Sequence, residues 1–212
     1  MKHNDAEIRP FAPRFRVMMC LAALTAAFTV WLPRPAHADD ATPPRVPPNL
    51  QVPAGNKLFL EGDAIGTQDY ICLPSGAGFA FTFFGPQATL FDHDEQIITH
   101  FLSPNPFENG TPRVTWQDSE DTSTVWAVTI AQSSDPAFVR PGAIPWFLLR
   151  VVGARAGPTG GDKLSKTTFV QRLNTSGGVA PSTGCTVPTD VGKVALVPYT
   201  ATYFFFRAVK DK

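Results

Sequence analysis

"FAFTFFGPQATLFDHDEQIITHFL", residues 79–102, reads as three short β-runs with turn chemistry between them. "FAFTFF" (79–84), "ATLFD" (88–92) and "QIITHFL" (96–102) are rich in aromatic and β-branched residues, which suit a pleated, half-buried surface. Gly85-Pro86 interrupts the first pair, and "DHDE" (92–95) supplies the polar residues that a hairpin turn uses. The theme continues in both directions. Upstream lie "KLFLE" (57–61) and "QDYICL" (68–73). Downstream come "RVTWQ" (113–117), "TVWAVTIA" (124–131), "PWFLLRVV" (145–152), "TTFVQRL" (167–173) and "YTATYFFFRAV" (199–209). No window of ten or more residues keeps a helical period. The expectation is an all-β, single-domain sandwich or barrel of about 8–10 short, mostly antiparallel strands. Seventeen Phe and four Trp provide large aromatic area for such a core. The glycine-rich segment 150–168 reads as a mobile hairpin tip.

The N-terminus reads differently. Lys2, Arg9, Arg14 and Arg16 precede an uncharged apolar run, "VMMCLAALTAAFTVWL" (17–32), and Ala36 and Ala38 then stand in a small-x-small pattern. That is the layout of a secretory signal peptide over residues 1–38. The run falls short of the roughly 20 apolar residues a spanning helix needs, so no stable membrane anchor is expected after cleavage. A secreted or periplasmic location follows. Residues 39–54 hold five prolines and read as an extended leader, with the β domain at 55–212. The whole chain is formally neutral. Loss of residues 1–38 removes more basic than acidic residues and leaves a mildly acidic remainder, a poor partner for nucleic acid.

Cys20 leaves with the signal, and Cys72 and Cys185 remain. An even pair in an exported chain reads as one disulfide; two buried free thiols are the alternative. Cys185 ends "QRLNTSGGVAPSTGC" (171–185), whose glycines allow chain reversal. The loop is expected to be a structural strap, although Arg172 beside backbone donors is also suited to holding an anion.

Catalytic signatures are missing: there is no G-x-S-x-G elbow, no phosphate loop and no dinucleotide fingerprint, so no cofactor is expected. His93 with Asp92, Asp94 and Glu95 has metal-ligand chemistry but sits where a turn belongs, and no metal is assigned. His100 lies within a strand, on the face of Ile98 and Leu102. The candidate ligand-binding residues are His100, Trp116, Asp118 and Arg172.

The segments "VPAGNKLFLEGDAIGTQDYIC" (52–72), "GPQATLFD" (85–92), "TW" (115–116), "AIPWFLL" (143–149), "QRLNTSGGVAPSTGC" (171–185) and "VPYTATYFFF" (197–206) follow one another in an order that resembles domain-of-unknown-function family 3455 of secreted bacterial and fungal proteins. The resemblance implies an exported, largely β domain with two paired cysteines, and it implies no activity. Asp69 departs from the apolar residue usual at its position, and the family's "DGS" after the tryptophan is matched only loosely, by Asp118-Ser119 or Asp121-Thr122-Ser123. Two functions stay open at this point. One is a non-catalytic envelope or extracellular binding module for carbohydrate or another cell-surface ligand. The other is a hydrolase or lyase using His100 with Asp118 or Asp121.

Overall fold

The computed structural model describes residues 44–209. The expected signal peptide lies outside the described residues. Eight strands follow in chain order: β1 (Asn56–Ser75), β2 (Gly78–Asp92), β3 (Glu95–Asn105), β4 (Thr111–Asp118), β5 (Thr124–Ser133), β6 (Trp146–Arg155), β7 (Thr167–Gly177) and β8 (Val194–Ala208). Each pairs antiparallel with its sequence neighbour, and β8 returns to β1, so the sheet closes into a barrel. Of the two architectures expected, the barrel is the one formed.

Ten sequence runs become eight strands because two supposed turns are strand interior. In β1 the interruption is Gly62 to Gly66. A Cβ at Gly62 would stand 3.1 Å from Ile97 Cδ1, and one at Gly66 would collide with the Gln87 carbonyl oxygen. These glycines serve close packing inside the barrel. In β2 the interruption is Gly85-Pro86. Asp69 pairs with Gly85 while Tyr70 pairs with Phe83, which leaves Phe84 as an extra residue at a bulge. Pro86 lies beyond the last β2–β3 pair, Ala88 with His100, so its missing N–H breaks no ladder there. His93 and Asp94 make the β2–β3 turn, with His93 exposed and at φ 54°.

Alternation sorts the side chains into two clusters. Leu90, Ile98, Trp116, Val125, Val170, Tyr203 and Phe205 fill the barrel interior. Leu148, Leu173, Phe204 and Phe206 point outward, where Leu50, Val46 and Val52 of the leader cover them together with Val139 and Trp146. Leu50 is fully buried, worth about 1.5–3 kcal/mol, and its carbonyl accepts a 2.6 Å hydrogen bond from Gln171 Nε2.

Antiparallel closure puts the β2–β3, β4–β5 and β6–β7 connections at one end of the barrel and the other four at the opposite end. The first end is plugged. Leu164, in the β6–β7 connection, is fully buried in the interior cluster. Its N–H donates to Ser123 Oγ at 3.0 Å, and the Lys163 N–H donates to Asp121 Oδ2 at 2.9 Å. The glycines of this segment permit close contact: a Cβ at Gly157 or Gly161 would collide with Asp121. The expectation of a mobile tip is therefore corrected; the β4–β5 turn grips the segment as a stopper.

At the other end, residues 178–193 run from β7 back past β1. Gly177 and Gly178 take φ of 67° and 79°, and the Tyr70 hydroxyl donates to Gly178 O at 2.6 Å. Cys72 and Cys185 form a disulfide with Cα atoms 5.5 Å apart, across 113 residues of sequence. Next to it, the Cys72 N–H donates to Lys193 O and the Gly192 N–H to Cys72 O. Asp190 accepts from the N–H groups of Thr186 and Val187 and from Lys193 Nζ, which fixes the turn inside the strap.

Candidate functional site

The barrel interior is filled toward the stopper and hollow toward the strap. The hollow is a cavity of about 390 Å³ to which every strand contributes. β1 supplies Gln68 and Tyr70, β2 Phe83 and Pro86, β3 His100, and β4 Val114 and Trp116. Thr129 comes from β5, Phe147 and Leu149 from β6, Arg172 from β7 and Tyr203 from β8, while Ile144 and Pro145 of the β5–β6 connection close one side. That connection is stitched to the end of β7: Thr175 Oγ1 donates to Ile144 O at 2.6 Å, and the Ile144 N–H donates to Gly177 O at 3.0 Å. A wider hollow of about 670 Å³ lies outside the barrel, but its two cations, Arg45 and Arg140, are exposed.

Register explains why these side chains meet. His100 pairs with Trp116 across β3–β4, and Arg172 pairs with Phe147 on one side and Tyr203 on the other. Gln171 faces outward to Leu50, so Arg172 must face inward. His100 stacks on Trp116 with ring centroids 4.5 Å apart and planes 9° from parallel. Tyr203 meets both rings, at 5.1 Å and 5.7 Å. His100 Nδ1 lies 2.8 Å from Thr115 O. A carbonyl only accepts, so the proton sits on Nδ1 and Nε2 presents its lone pair. Burial, reinforced by the nearby Arg172 charge and opposed by the Thr115 bond, takes the His100 pKa down to about 3. The ring is neutral at physiological pH.

Arg172 is 7% exposed. Nη2 donates to Pro145 O at 2.9 Å, and the guanidinium lies 4.0 Å over the Phe147 ring. Nε is buried without a hydrogen-bond partner. Among the described residues no carboxylate forms an ion pair with Arg172. Its positive field opposes the upward push of burial on the Tyr70, Tyr199 and Tyr203 hydroxyls, at Tyr203 together with a hydrogen bond from the guanidinium, and burial prevails at all three.

Three of the four candidate residues, His100, Trp116 and Arg172, thus line one cavity. Asp118 does not. It ends β4 at the stopper end, where Oδ1 accepts the N–H groups of Glu120 and Asp121 and Oδ2 pairs with Lys163 Nζ at 3.1 Å. Asp121 likewise accepts from the N–H groups of Ser123 and Lys163. Both carboxylates hold the stopper, and neither shares a hydrogen bond with His100. Among the described residues no Asp, Glu, Lys, Ser or Cys lines the cavity. Among the described residues no cluster of three His, Cys, Asp or Glu is placed to hold a metal.

Sequence reasoning passed over Gln68, Tyr70, Phe147 and Tyr203. The alternation Tyr199, Ala201, Tyr203, Phe205 in "YTATYFFF" carried the signal for Tyr203, once β8 is known to face the lumen with that phase.

The family described as "Protein of unknown function (DUF3455)" matches residues 53–207, which include every lining residue. The chain belongs to the DUF3455 family. No curated protein and no solved structure matches it. The DUF3455 match runs from the leader through β8, so the barrel, the strap and the stopper all fall within the family region. Among the described residues no helix is long and apolar enough to cross a membrane.

Proposed function

We propose that this chain is an exported, non-catalytic binding barrel that takes a compact, largely apolar small molecule into its lumen. The observation that carries the reading is the 390 Å³ cavity ringed by Tyr70, Phe83, Trp116, Phe147 and Tyr203. An eight-stranded barrel is just wide enough to be filled by its own side chains or to hold one small ligand. This barrel is filled over one half only. Preformed, mostly apolar hollows of 300–1,000 Å³ with a few polar groups are the usual form of small-molecule sites. Carbohydrate fits less well. Sugars stack on open aromatic platforms, whereas Trp116, Trp126 and Trp146 are all buried. Export rests on the N-terminal sequence pattern and suits the disulfide.

The test is titration of the chain beginning at Asp39 with 2-naphthol, read by tryptophan fluorescence and calorimetry. Saturable one-to-one binding is expected, lost in Val114→Trp, which fills the lumen with an indole. Absence of saturable binding by 2-naphthol and by the acids tested below, or full binding by a folded Val114→Trp protein, would overturn the proposal. Export is tested separately by N-terminal sequencing of secreted material. It should begin at Asp39, and a chain retaining residues 17–32 would refute it.

A further inference from the structure

We infer that Arg172 is a carboxylate anchor and that the lumen ligand is a compact monocarboxylic acid with an apolar body. The inference rests on the lumen being the binding site. Buried charges in proteins are paired or bound to a counter-ion, because removing an ion from water carries a penalty of several kcal/mol. Arg172 breaks that rule within its own chain: it is 7% exposed, its Nε has no partner, and no described carboxylate pairs with it. The lining around it repeats the same imbalance. Trp116 Nε1, a donor only, is also buried without a partner, while Gln68 reaches only the Tyr199 hydroxyl. Unanswered N–H groups in one lumen call for an acceptor-rich guest.

The charge and size of that guest follow. A single guanidinium, with His100 held neutral, balances one negative charge. A planar carboxylate meets Nε and an Nη in the two-pronged arrangement that favours arginine over lysine. A phosphate monoester carries nearly two charges and would leave one uncompensated in an apolar wall. For size, an engineered cavity of about 150 Å³ holds benzene, so by proportion 390 Å³ admits roughly fifteen non-hydrogen atoms. Aryl-alkenoic acids and medium-chain fatty acids are of this size. The Phe147 face under the guanidinium and the flat His100–Trp116 stack favour an aromatic body.

The experiment compares trans-cinnamate with its neutral isostere cinnamamide on the wild-type chain at pH 7.5, with octanoate, phenyl phosphate and 2-naphthol alongside. Cinnamate is expected to bind about 30-fold or more tightly than cinnamamide, the discrimination typical of a buried charged pair. Arg172→Met should abolish that preference, cinnamate and cinnamamide then binding equally. It should also raise the Tm of the ligand-free protein, since a buried unpaired charge has gone. Equal affinity for cinnamate and cinnamamide, or tighter phenyl phosphate than cinnamate, overturns the anchor and leaves lumen binding standing. So does binding of 2-naphthol alone. Failure of all five probes overturns both readings. If Arg172→Met does not fold, the wild-type comparison decides.

Discussion

His100 lies flat against Trp116, 4.5 Å from ring centre to ring centre, buried in the middle of a barrel where a charged imidazole is disfavoured. The unfolded chain takes up a proton there near the ordinary value of 6.5, and the folded chain only near 3. Between those values the unfolded state binds more protons, so stability is lost as pH falls below 6.5. The slope is about 1.4 kcal/mol per pH unit. Urea midpoints at pH 7.0 and 5.0 should show this loss in the wild type and much less of it in His100→Phe. Equal pH sensitivity in the two proteins would place the effect elsewhere.

Joining Cys72 to Cys185 constrains the unfolded chain across 113 residues. Loop-closure entropy puts that at about 4–5 kcal/mol. The double variant Cys72→Ala/Cys185→Ala should therefore melt about 10 °C or more below the wild type under non-reducing conditions. An unchanged melting curve would mean that the hydrogen bonds of Cys72 to Gly192 and Lys193 already fix the strap.

Asp118 is assigned here to the stopper. Asp118→Ala removes the acceptor of two backbone N–H groups and the partner of Lys163. The expected loss is about 1–3 kcal/mol of stability with no change in the Kd for 2-naphthol. A folded Asp118→Ala protein with weakened binding would return this carboxylate to the site.

Gly142 and Gly178 have nearly the same φ, 77° and 79°, but different surroundings. A Cβ at Gly142 meets nothing within 4 Å, whereas one at Gly178 stands 3.0 Å from Tyr199 Cβ and 3.1 Å from both Gln68 Cγ and Ile144 Cγ2. Gly142→Ala should lose only the backbone strain, about 1 kcal/mol, and Gly178→Ala distinctly more. Thermal melts of the two variants measure the difference directly. Equal losses would show that the strap and lumen rim shift freely.

The class of fold was readable from strand-like runs and turn residues, because alternation and turn chemistry are local. The number of strands was not. Gly62, Gly66 and Gly85-Pro86 look like turns until the opposite wall of the barrel is known, since only then do the crowding at Gly66 and the bulge at Phe84 have a cause. The site shows the same divide. His100 and Arg172 stand out as polar residues in apolar runs, so composition alone marks them. Phe147 and Tyr203 look like ordinary strand residues, and only the register beside Arg172 gives them a role. Asp118 misleads for the converse reason: an acidic residue after a tryptophan looks chemical, but its bonds are all to the neighbouring turn and Lys163.

The seam that closes the sheet joins its first strand to its last, Asn56 opposite Ala208 through Ile71 opposite Val194. No shorter, nascent version of the chain can complete this wall. A growing polypeptide must keep Trp116 and Leu90 without their final neighbours until β8 is delivered. Such dependence on distant pairings makes folding slow and leaves apolar strands unshielded in the meantime. Once the seam is shut the hazard ends, for a closed ring of strands offers no free edge to another chain. The molecule is thus most vulnerable to self-association before β8 arrives and well guarded afterwards.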